Sequence, residues 1–124
     1  MRTKIDRNAS SERFAEWASE VLDDLKAENV RVLDVRHLTS IMDIMIVASG
    51  RSDRHVRAMA DALLEKCAQI DRRPMGVEGQ EGGEWVLVDF SDVVVHLMLP
   101  KVRDFYDIEK LWDISKPTAE AAER

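Results

Sequence analysis

Two carboxylates and an imidazole lie close together in one apolar segment of the sequence. Asp89, Asp92 and His96 fall within EWVLVDFSDVVVHLM at 84–98, which is otherwise dominated by Val and Leu. Paired carboxylates can hold divalent ions that clamp phosphate oxygens, so nucleotidyl transfer is a chemistry that these residues could support. The reaction also needs a turn that receives phosphates. ASGRSDRH at 48–55 offers a Gly/Ser turn at the start of a predicted helix.

Each part of this possible active site has a simpler interpretation. The turn lacks the Lys and the full spacing of a phosphate-binding loop. Asp89 and Asp92 flank a predicted hairpin turn, where Asp is common because its side chain bonds the nearby backbone. His96 has no Cys or second His at ligand spacing, since His37 and His55 fall in other elements. We therefore expect no catalytic residue, no metal and no cofactor, and a hydrogen-bonded structural or interface role for His96.

Hydrophobic patterns predict the elements that would hold these residues. Apolar residues repeat at helical spacing in 14–25, 56–67 and 102–112. Runs rich in Val predict strands at 30–35, 43–49, 84–90 and 92–99, with a short strand around 75–77. The last two long strands form a tight antiparallel hairpin, and Pro100 can begin the helix that follows. The order predicts an α/β fold of the α+β type, one mixed sheet of about five strands packed by helices.

The predicted hairpin has one uniform face and one mixed face, because side chains alternate along a strand. The uniform face should pack in the core and consists of Val86, Val88, Phe90, Val93, Val95, Leu97 and Leu99. The mixed face carries Trp85, Leu87, Asp89, Asp92, Val94, His96 and Met98. Aromatic and Met anchors among a few charges are typical of a protein interface.

The segment 102–112 is predicted to form one continuous amphipathic helix. Its core face would consist of Val102, Phe105, Ile108, Leu111 and Trp112. The opposite face would present Arg103, Tyr106, Asp107 and Lys110. Arg103 and Tyr106 could then extend the surface formed by Trp85 and Met98.

The charge and composition narrow the class of partner. The chain of 124 residues has a formal net charge of −6, which disfavours nucleic acid because such affinity comes mainly from Lys and Arg. A basic protein is the more natural partner, since opposite charges speed the encounter.

No apolar run is long enough to span a bilayer, and the N-terminus lacks a signal peptide. The lone Cys67 indicates a reducing, cytoplasmic setting and should pack as a small apolar residue.

The length of the chain fits a single domain. Residues 10–113 should form this domain, and the polar ends at 1–9 and 114–124 should be flexible. Ser10 or Ser11 can cap the first helix, for which Asn29 is a plausible stop.

Taken together, these stretches resemble the Iojap family, the ribosomal silencing factors called RsfS. The matching pieces are LDV at 33–35, SIMDIMIVASGRSDRHVRAMAD at 40–61, GVEGQEGGEWVLVDFSDVVVHLM at 76–98 and RDFYDIEKLW at 103–112. They occur in the family's order and spacing. The combination of the Trp-bearing hairpin with the FY and EKLW stretch is specific. One local departure is Ile108, where the family often has Leu.

The resemblance implies a fold related to nucleotidyltransferases, without known transferase activity, and usually a homodimer when free. It implies binding to the large ribosomal subunit through the subunit's fourteenth protein, a basic protein on the face that meets the small subunit. Bound there, family members block subunit joining and repress translation when nutrients run short. The family's partner-binding role carries over first to Trp85 and then to other matching positions: Met98, Tyr106, Arg103, Glu109 and His96.

Two other functions stay open from the sequence. Organellar relatives in the family act in large-subunit assembly, and an assembly factor would use the same interface. A residual nucleotide-binding or nucleotidyltransferase-like domain would instead use Asp89, Asp92 and the turn at 48–55. That domain would be stabilised by Mg²⁺ with a nucleoside triphosphate, which would raise its melting temperature.

Overall fold

Five strands form one mixed sheet with helices on both of its faces. The computed structural model describes residues 5–113. The elements are α1 (Ser11–Asp24), β1 (Glu28–Asp34), β2 (Ile44–Ser49), α2 (Asp53–Gln69), β3 (Gly76–Glu78), β4 (Trp85–Asp89), β5 (Val93–Met98), α3 (Pro100–Tyr106) and α4 (Ile108–Asp113). The strand order is β1-β2-β5-β4-β3; β2 and β5 are parallel, and the other neighbouring pairs are antiparallel. This architecture confirms the predicted α+β class with a mixed sheet.

Helices α1 and α2 cover one face of the sheet and enclose the larger core. The Ser10 hydroxyl caps α1 by accepting a hydrogen bond from Arg13 N at 3.2 Å, and Ser52 caps α2 by accepting from His55 N at 3.0 Å. Buried members of this core include Phe14, Leu22, Ile46, Met59, Leu63, Val88, Val95 and Leu97. Cys67 packs in the same core, and burial raises the pKa of its thiol to about 12. The predictions that the uniform hairpin face lies in the core and that Cys67 packs as a small apolar residue are confirmed.

The end of α1 differs from the prediction. The helix stops at Asp24, with Leu25 as its C-cap and Lys26 in the left-handed conformation at φ 70°. Asn29, the predicted stop, lies inside β1 with a φ of 51°, where the strand has a bulge. Asn tolerates the left-handed region better than most residues, so it suits a bulge as well as a helix end.

Two short helices, rather than one, cover the second face of the sheet. Asp107 separates α3 from α4 with a left-handed backbone at φ 46°, and its N–H donates to Arg103 O at 2.8 Å. The break interrupts the helical repeat, so the prediction of one continuous amphipathic helix is wrong. Phe105 and Leu111, which were expected in the core, are 80% and 64% exposed.

A second, smaller core lies between the sheet and these two helices. Its buried members are Leu33, Val35, Met42, Met45, Val47 and Met98. Partly buried residues pack against them, namely Trp85, Val94, Val102, Ile108 and Trp112. Among the helices of the described residues, none has the length and apolar character needed to cross a bilayer.

The described part of the N-terminus contacts the turn that follows α2. Arg72 donates from its guanidinium to Ala9 O at 3.0 Å, and Arg7 pairs with Asp71 at 2.8 Å. Ile5 packs at the margin of the larger core. Residues 1–4 and the predicted flexible tail at 114–124 lie outside the described residues.

Candidate functional site

Trp85 and His96 form the inner part of the candidate site. The Trp85 indole is partly buried on β4, opposite Met98 of β5, and its Nε1 donates to His96 Nδ1 at 3.0 Å. His96 is only 8% exposed, and this burial lowers the pKa of its imidazole to about 4. The imidazole is therefore neutral at pH 7. Because Nδ1 accepts the indole bond, the ring proton of the neutral form lies on Nε2.

Two further aromatic rings continue from Trp85 to the solvent. The Trp85 and Tyr106 ring centroids are 5.0 Å apart, and the Tyr106 and Phe105 centroids are also 5.0 Å apart, edge to face. Tyr106 is 56% exposed, and Phe105 is 80% exposed. We call Trp85, Phe105 and Tyr106 the aromatic surface. Its rings contact one another at favourable separations while keeping much of their area available to a partner.

A buried ion pair fixes the helices that carry this surface. The Arg103 guanidinium binds both carboxylate oxygens of Glu109, with Nε–Oε1 at 2.5 Å and Nη2–Oε2 at 3.0 Å. Arg103 also donates to Ser49 Oγ at 2.8 Å, and Arg31 donates to Glu109 at 3.1 Å. The hydrogen bonds from Arg103 lower the pKa of the Glu109 carboxyl below its usual 4.5. The pair joins α3 to α4 across Asp107 and ties both to the sheet.

The structure brings the predicted partner-binding residues into one region but gives them different positions. Trp85 and Tyr106 reach the surface, whereas Met98 is fully buried beneath Trp85 in the second core. Arg103 is 7% exposed, so the expectation that it projects from the outer face of its helix is wrong. Once Asp107 breaks the helix, the Arg103 side chain turns inward to Glu109. Met98, Arg103, Glu109 and His96 thus lie behind the aromatic surface and support it.

Phe105 is the residue of the aromatic surface that the helical pattern places wrongly. Its place in the apolar repeat predicts a core position only when the repeat runs unbroken through Asp107. Asp is one of the residues that enter the left-handed region with least strain, so the YD step before IEKLW is the signal that could have marked the break. The expectation that Lys110 and Asp107 are solvent-exposed agrees with the structure.

The two Asp residues of the hairpin have separate structural partners. Asp89 Oδ1 accepts from Ser91 N at 2.7 Å within the turn, as predicted. Asp92 differs from the prediction, since its carboxylate pairs with the Arg72 guanidinium at 2.9 and 3.0 Å and accepts from Ser11 Oγ at 2.8 Å. Within residues 5–113, no group of three or more His, Cys, Asp and Glu side chains could hold a metal ion.

The Gly/Ser turn at 48–55, which the nucleotide-binding alternative would use for phosphates, is capped by its own residues. Ser52 Oγ accepts from His55 N, and His55 Nδ1 accepts from Arg51 N at 3.0 Å. Asp53 adds a carboxylate to the first turn of α2. These groups already satisfy donors that an anion would contact, and the carboxylate repels a phosphate.

The fold and the site define a small α+β domain in which a buried ion pair supports an exposed aromatic surface. A family model described as "Ribosomal silencing factor during starvation", RsfS, matches residues 8–124 of the sequence. The chain belongs to this family.

Similar proteins cover most of the chain. "Ribosomal silencing factor RsfS" from Chromobacterium violaceum is 48% identical over 107 residues, which make up 86% of this chain and 88% of the relative. A crystal structure of a protein from the same species has a TM-score of 0.82 at 46% identity, covering 89% of this chain and 92% of that chain. "Mitochondrial assembly of ribosomal large subunit protein 1" from Mus musculus is 35% identical over 96 residues, 73% of this chain and 42% of the relative.

Proposed function

We propose that this protein is a ribosomal silencing factor that binds the large ribosomal subunit through its fourteenth protein. The bound domain occupies space that the small subunit needs, so it blocks subunit joining and represses translation during starvation or in stationary phase. Membership of the RsfS family carries this proposal, since the matching model spans residues 8–124. The action is steric and uses no catalytic residue and no cofactor.

The aromatic surface is the proposed contact with the ribosomal protein. Trp and Tyr are enriched among the residues that dominate binding energy. Here Trp85 packs against the second core, and Tyr106 contacts the Trp85 ring. Phe105 adds an exposed apolar ring, beside the exposed carboxylates of Asp104 and Asp107. Together with the net charge of −6, these groups suit a basic protein partner.

Co-sedimentation with separated large subunits tests the proposed function. The purified protein should sediment with large subunits, and small subunits added afterwards should join them less than in the absence of the protein. Phe105→Ser should weaken both effects, whereas Met75→Ser, at a position 76% exposed outside the aromatic surface, should not. Binding to neither subunit, or binding without reduced joining, would contradict silencing by a steric block.

A role in large-subunit assembly is the second candidate, because the similar mouse protein is named for that process. Both roles use contact with the large subunit, so binding does not distinguish them. Cells depleted of the protein during growth distinguish them: an assembly factor predicts accumulation of immature large-subunit particles. A silencing factor predicts normal particles and failure to reduce translation on starvation.

We further propose that the protein acts in the cytoplasm and that the free form is a homodimer. Sedimentation equilibrium over a range of concentrations measures the oligomeric state of the free protein, and a monomer at all concentrations would contradict the dimer.

A melting scan with Mg²⁺ and a nucleoside triphosphate tests the nucleotide-binding alternative, since a bound ligand raises the melting temperature. No rise at millimolar ligand is expected.

A further inference from the structure

Strand β1 is an edge of the sheet, and one face of it is incompletely covered. β1 pairs with β2 alone in the strand order. Val32 is paired with Ile46, which lies in the larger core beneath α1, yet Val32 is 46% exposed. A β-branched residue on the core side of an edge strand is normally covered, so Val32 marks an apolar position that α1 does not reach.

The main chain of β1 has groups directed away from the sheet. Val35 N donates to Asp43 O on the β2 side at 2.9 Å. Hydrogen-bonding direction alternates along an antiparallel strand, so Val35, Leu33 and Arg31 point toward β2. Val32 and Asp34 therefore direct their N–H and C=O groups outward, where another extended segment could pair with them. The bulge at Asn29 limits this regular edge to the second half of the strand.

A groove runs between this edge and α1. Ala15 and Ile44 are buried at its base, beside the exposed methyl groups of Val32. Carboxylates line it on both sides, Glu12 and Glu16 from α1 and Asp34 from β1. The bonds from Arg36 lower the pKa of Asp34 to about 2, so its carboxylate stays charged. Arg36 is the one cation among the described lining residues, and it pairs with both Glu12 and Asp34, whereas Glu16 pairs with Arg13 beside the groove. Three carboxylates therefore face two guanidinium groups, which leaves an excess of one negative charge.

We infer that this groove binds an extended, basic segment of another protein, which adds a strand to β1. Outward main-chain groups would supply pairing, Val32 would contact an apolar side chain, and the carboxylates would attract Lys or Arg. A second copy of this chain suits the groove poorly. Antiparallel pairing of two β1 strands would place one α1 opposite the other and bring Glu12 and Glu16 close to their own copies.

This groove is separate from the aromatic surface and goes beyond the proposed function. The groove lies on the α1 side of the sheet at β1, whereas the aromatic surface lies on the α3 and α4 side at β4. Strands β2 and β5 separate β1 from β4. A partner could therefore occupy both surfaces at once with different segments.

The test uses the full chain and the peptide acetyl-KVKVKVK-amide at low ionic strength. Nuclear magnetic resonance measures binding, and amide hydrogen exchange measures protection at individual positions. The peptide should bind and protect the amides of Val32 and Asp34. The acidic peptide acetyl-EVEVEVE-amide, and a fully N-methylated KVKVKVK that lacks main-chain donors, should not bind. Equal binding of either control peptide, or protection confined to other elements, would overturn the inference.

Variants separate the contribution of charge from that of pairing. Glu16→Gln should weaken peptide binding about two- to fivefold, since a rim charge contributes modestly. Glu65→Gln removes the same charge from an exposed site on α2 outside the groove and should leave the affinity unchanged. Equal effects of the two substitutions would mean that net charge alone attracts the peptide.

Val32→Pro removes an outward N–H without removing a hydrogen bond to β2, and Pro is tolerated on such an edge. The variant should lose peptide binding while keeping its circular dichroism spectrum. Because the N-methylated peptide tests pairing on the unaltered protein, the inference stays testable if this variant does not fold. Loss of self-association in Val32→Pro, measured by sedimentation equilibrium, would show that β1 meets a second copy and would overturn the inference.

Discussion

The Trp85 indole donates its hydrogen bond to His96, an imidazole that burial keeps neutral. The Nε1–Nδ1 distance is 3.0 Å, and the bond crosses from β4 to β5. No buried side-chain nitrogen or oxygen within the described residues lacks a hydrogen-bond partner. Replacing either Trp85 or His96 with an apolar side chain would leave a polar atom of the remaining residue without its hydrogen-bond partner. The two residues therefore depend on each other.

Trp85→Phe should destabilise the fold by about 1–3 kcal/mol, because it leaves His96 Nδ1 buried without its donor. Urea unfolding at pH 7 measures the change. The double variant Trp85→Phe/His96→Leu should recover part of the loss, since no unpaired acceptor remains. Equal stability of the double and single variants would mean that lost packing, not the hydrogen bond, accounts for the effect. Binding tests of Trp85 variants therefore need a stability measurement beside them.

The stability of the protein should fall as the pH drops from 6.5 toward 4. The pKa of His96 is 6.5 in the reference state and about 4 in the fold, so below pH 6.5 the unfolded chain binds a proton that the folded chain does not. Between pH 7 and pH 5 this difference amounts to about 2 kcal/mol. Urea unfolding at both values measures it.

His96→Asn is the matched control for this pH dependence. Its Oδ1 can accept the Trp85 hydrogen bond, but the side chain does not titrate. The stability of this variant should change less than that of the natural sequence between pH 7 and pH 5. The same change in both proteins would assign the effect to another group.

The ion pair between Arg103 and Glu109 should contribute far more than an exposed pair. Glu109→Leu leaves the buried Arg103 charge without its bidentate partner and should cost about 3–5 kcal/mol. Glu16→Gln, which removes one exposed partner of Arg13, should cost less than about 1 kcal/mol. Arg103→Met/Glu109→Leu should cost less than the sum of the two single changes. Additive losses in this double-mutant cycle would show that the groups act independently.

The same ion pair should add a second step to the pH dependence. The pKa of Glu109 is lowered in the fold from 4.5, so its stabilisation is complete above that pH and is lost as the pH falls below it. Glu109→Gln should reduce the loss of stability below pH 4.5. This loss occurs below the interval from pH 7 to pH 5 that reports the titration of His96. Measurements in the two pH ranges therefore separate the two titrations.

Phe105→Ser should leave stability within about 0.5 kcal/mol, because the ring is largely exposed. Its affinity for large subunits should fall about tenfold or more if Phe105 is an anchor of the proposed contact. Met75→Ser is the control, since it removes an equally exposed apolar side chain elsewhere. Thermal unfolding and subunit co-sedimentation provide the two measurements. Unchanged binding by folded Phe105→Ser would remove this ring from the proposed contact.

The sequence by itself determined the elements whose pattern depends on near neighbours. The stripes of α1 and α2 and the alternation of the hairpin place Phe14, Leu63 and Val95 in the core, where they lie. These patterns are reliable because each element is long and has one apolar side facing one layer. The RsfS resemblance was likewise visible in the sequence and agrees with the family model.

Only the tertiary structure decided that Phe105 faces the solvent and that Arg103 does not. The left-handed backbone at Asp107 divides the predicted helix, exposes Phe105 and turns Arg103 inward. This arrangement depends on Ser49 and Arg31, which bond the ion pair from distant strands. Helical periodicity describes only residues that are close along the chain. It therefore cannot predict that Arg103 is buried in an ion pair with Glu109, which residues of β1 and β2 stabilise. The position of the aromatic surface follows from those long-range contacts.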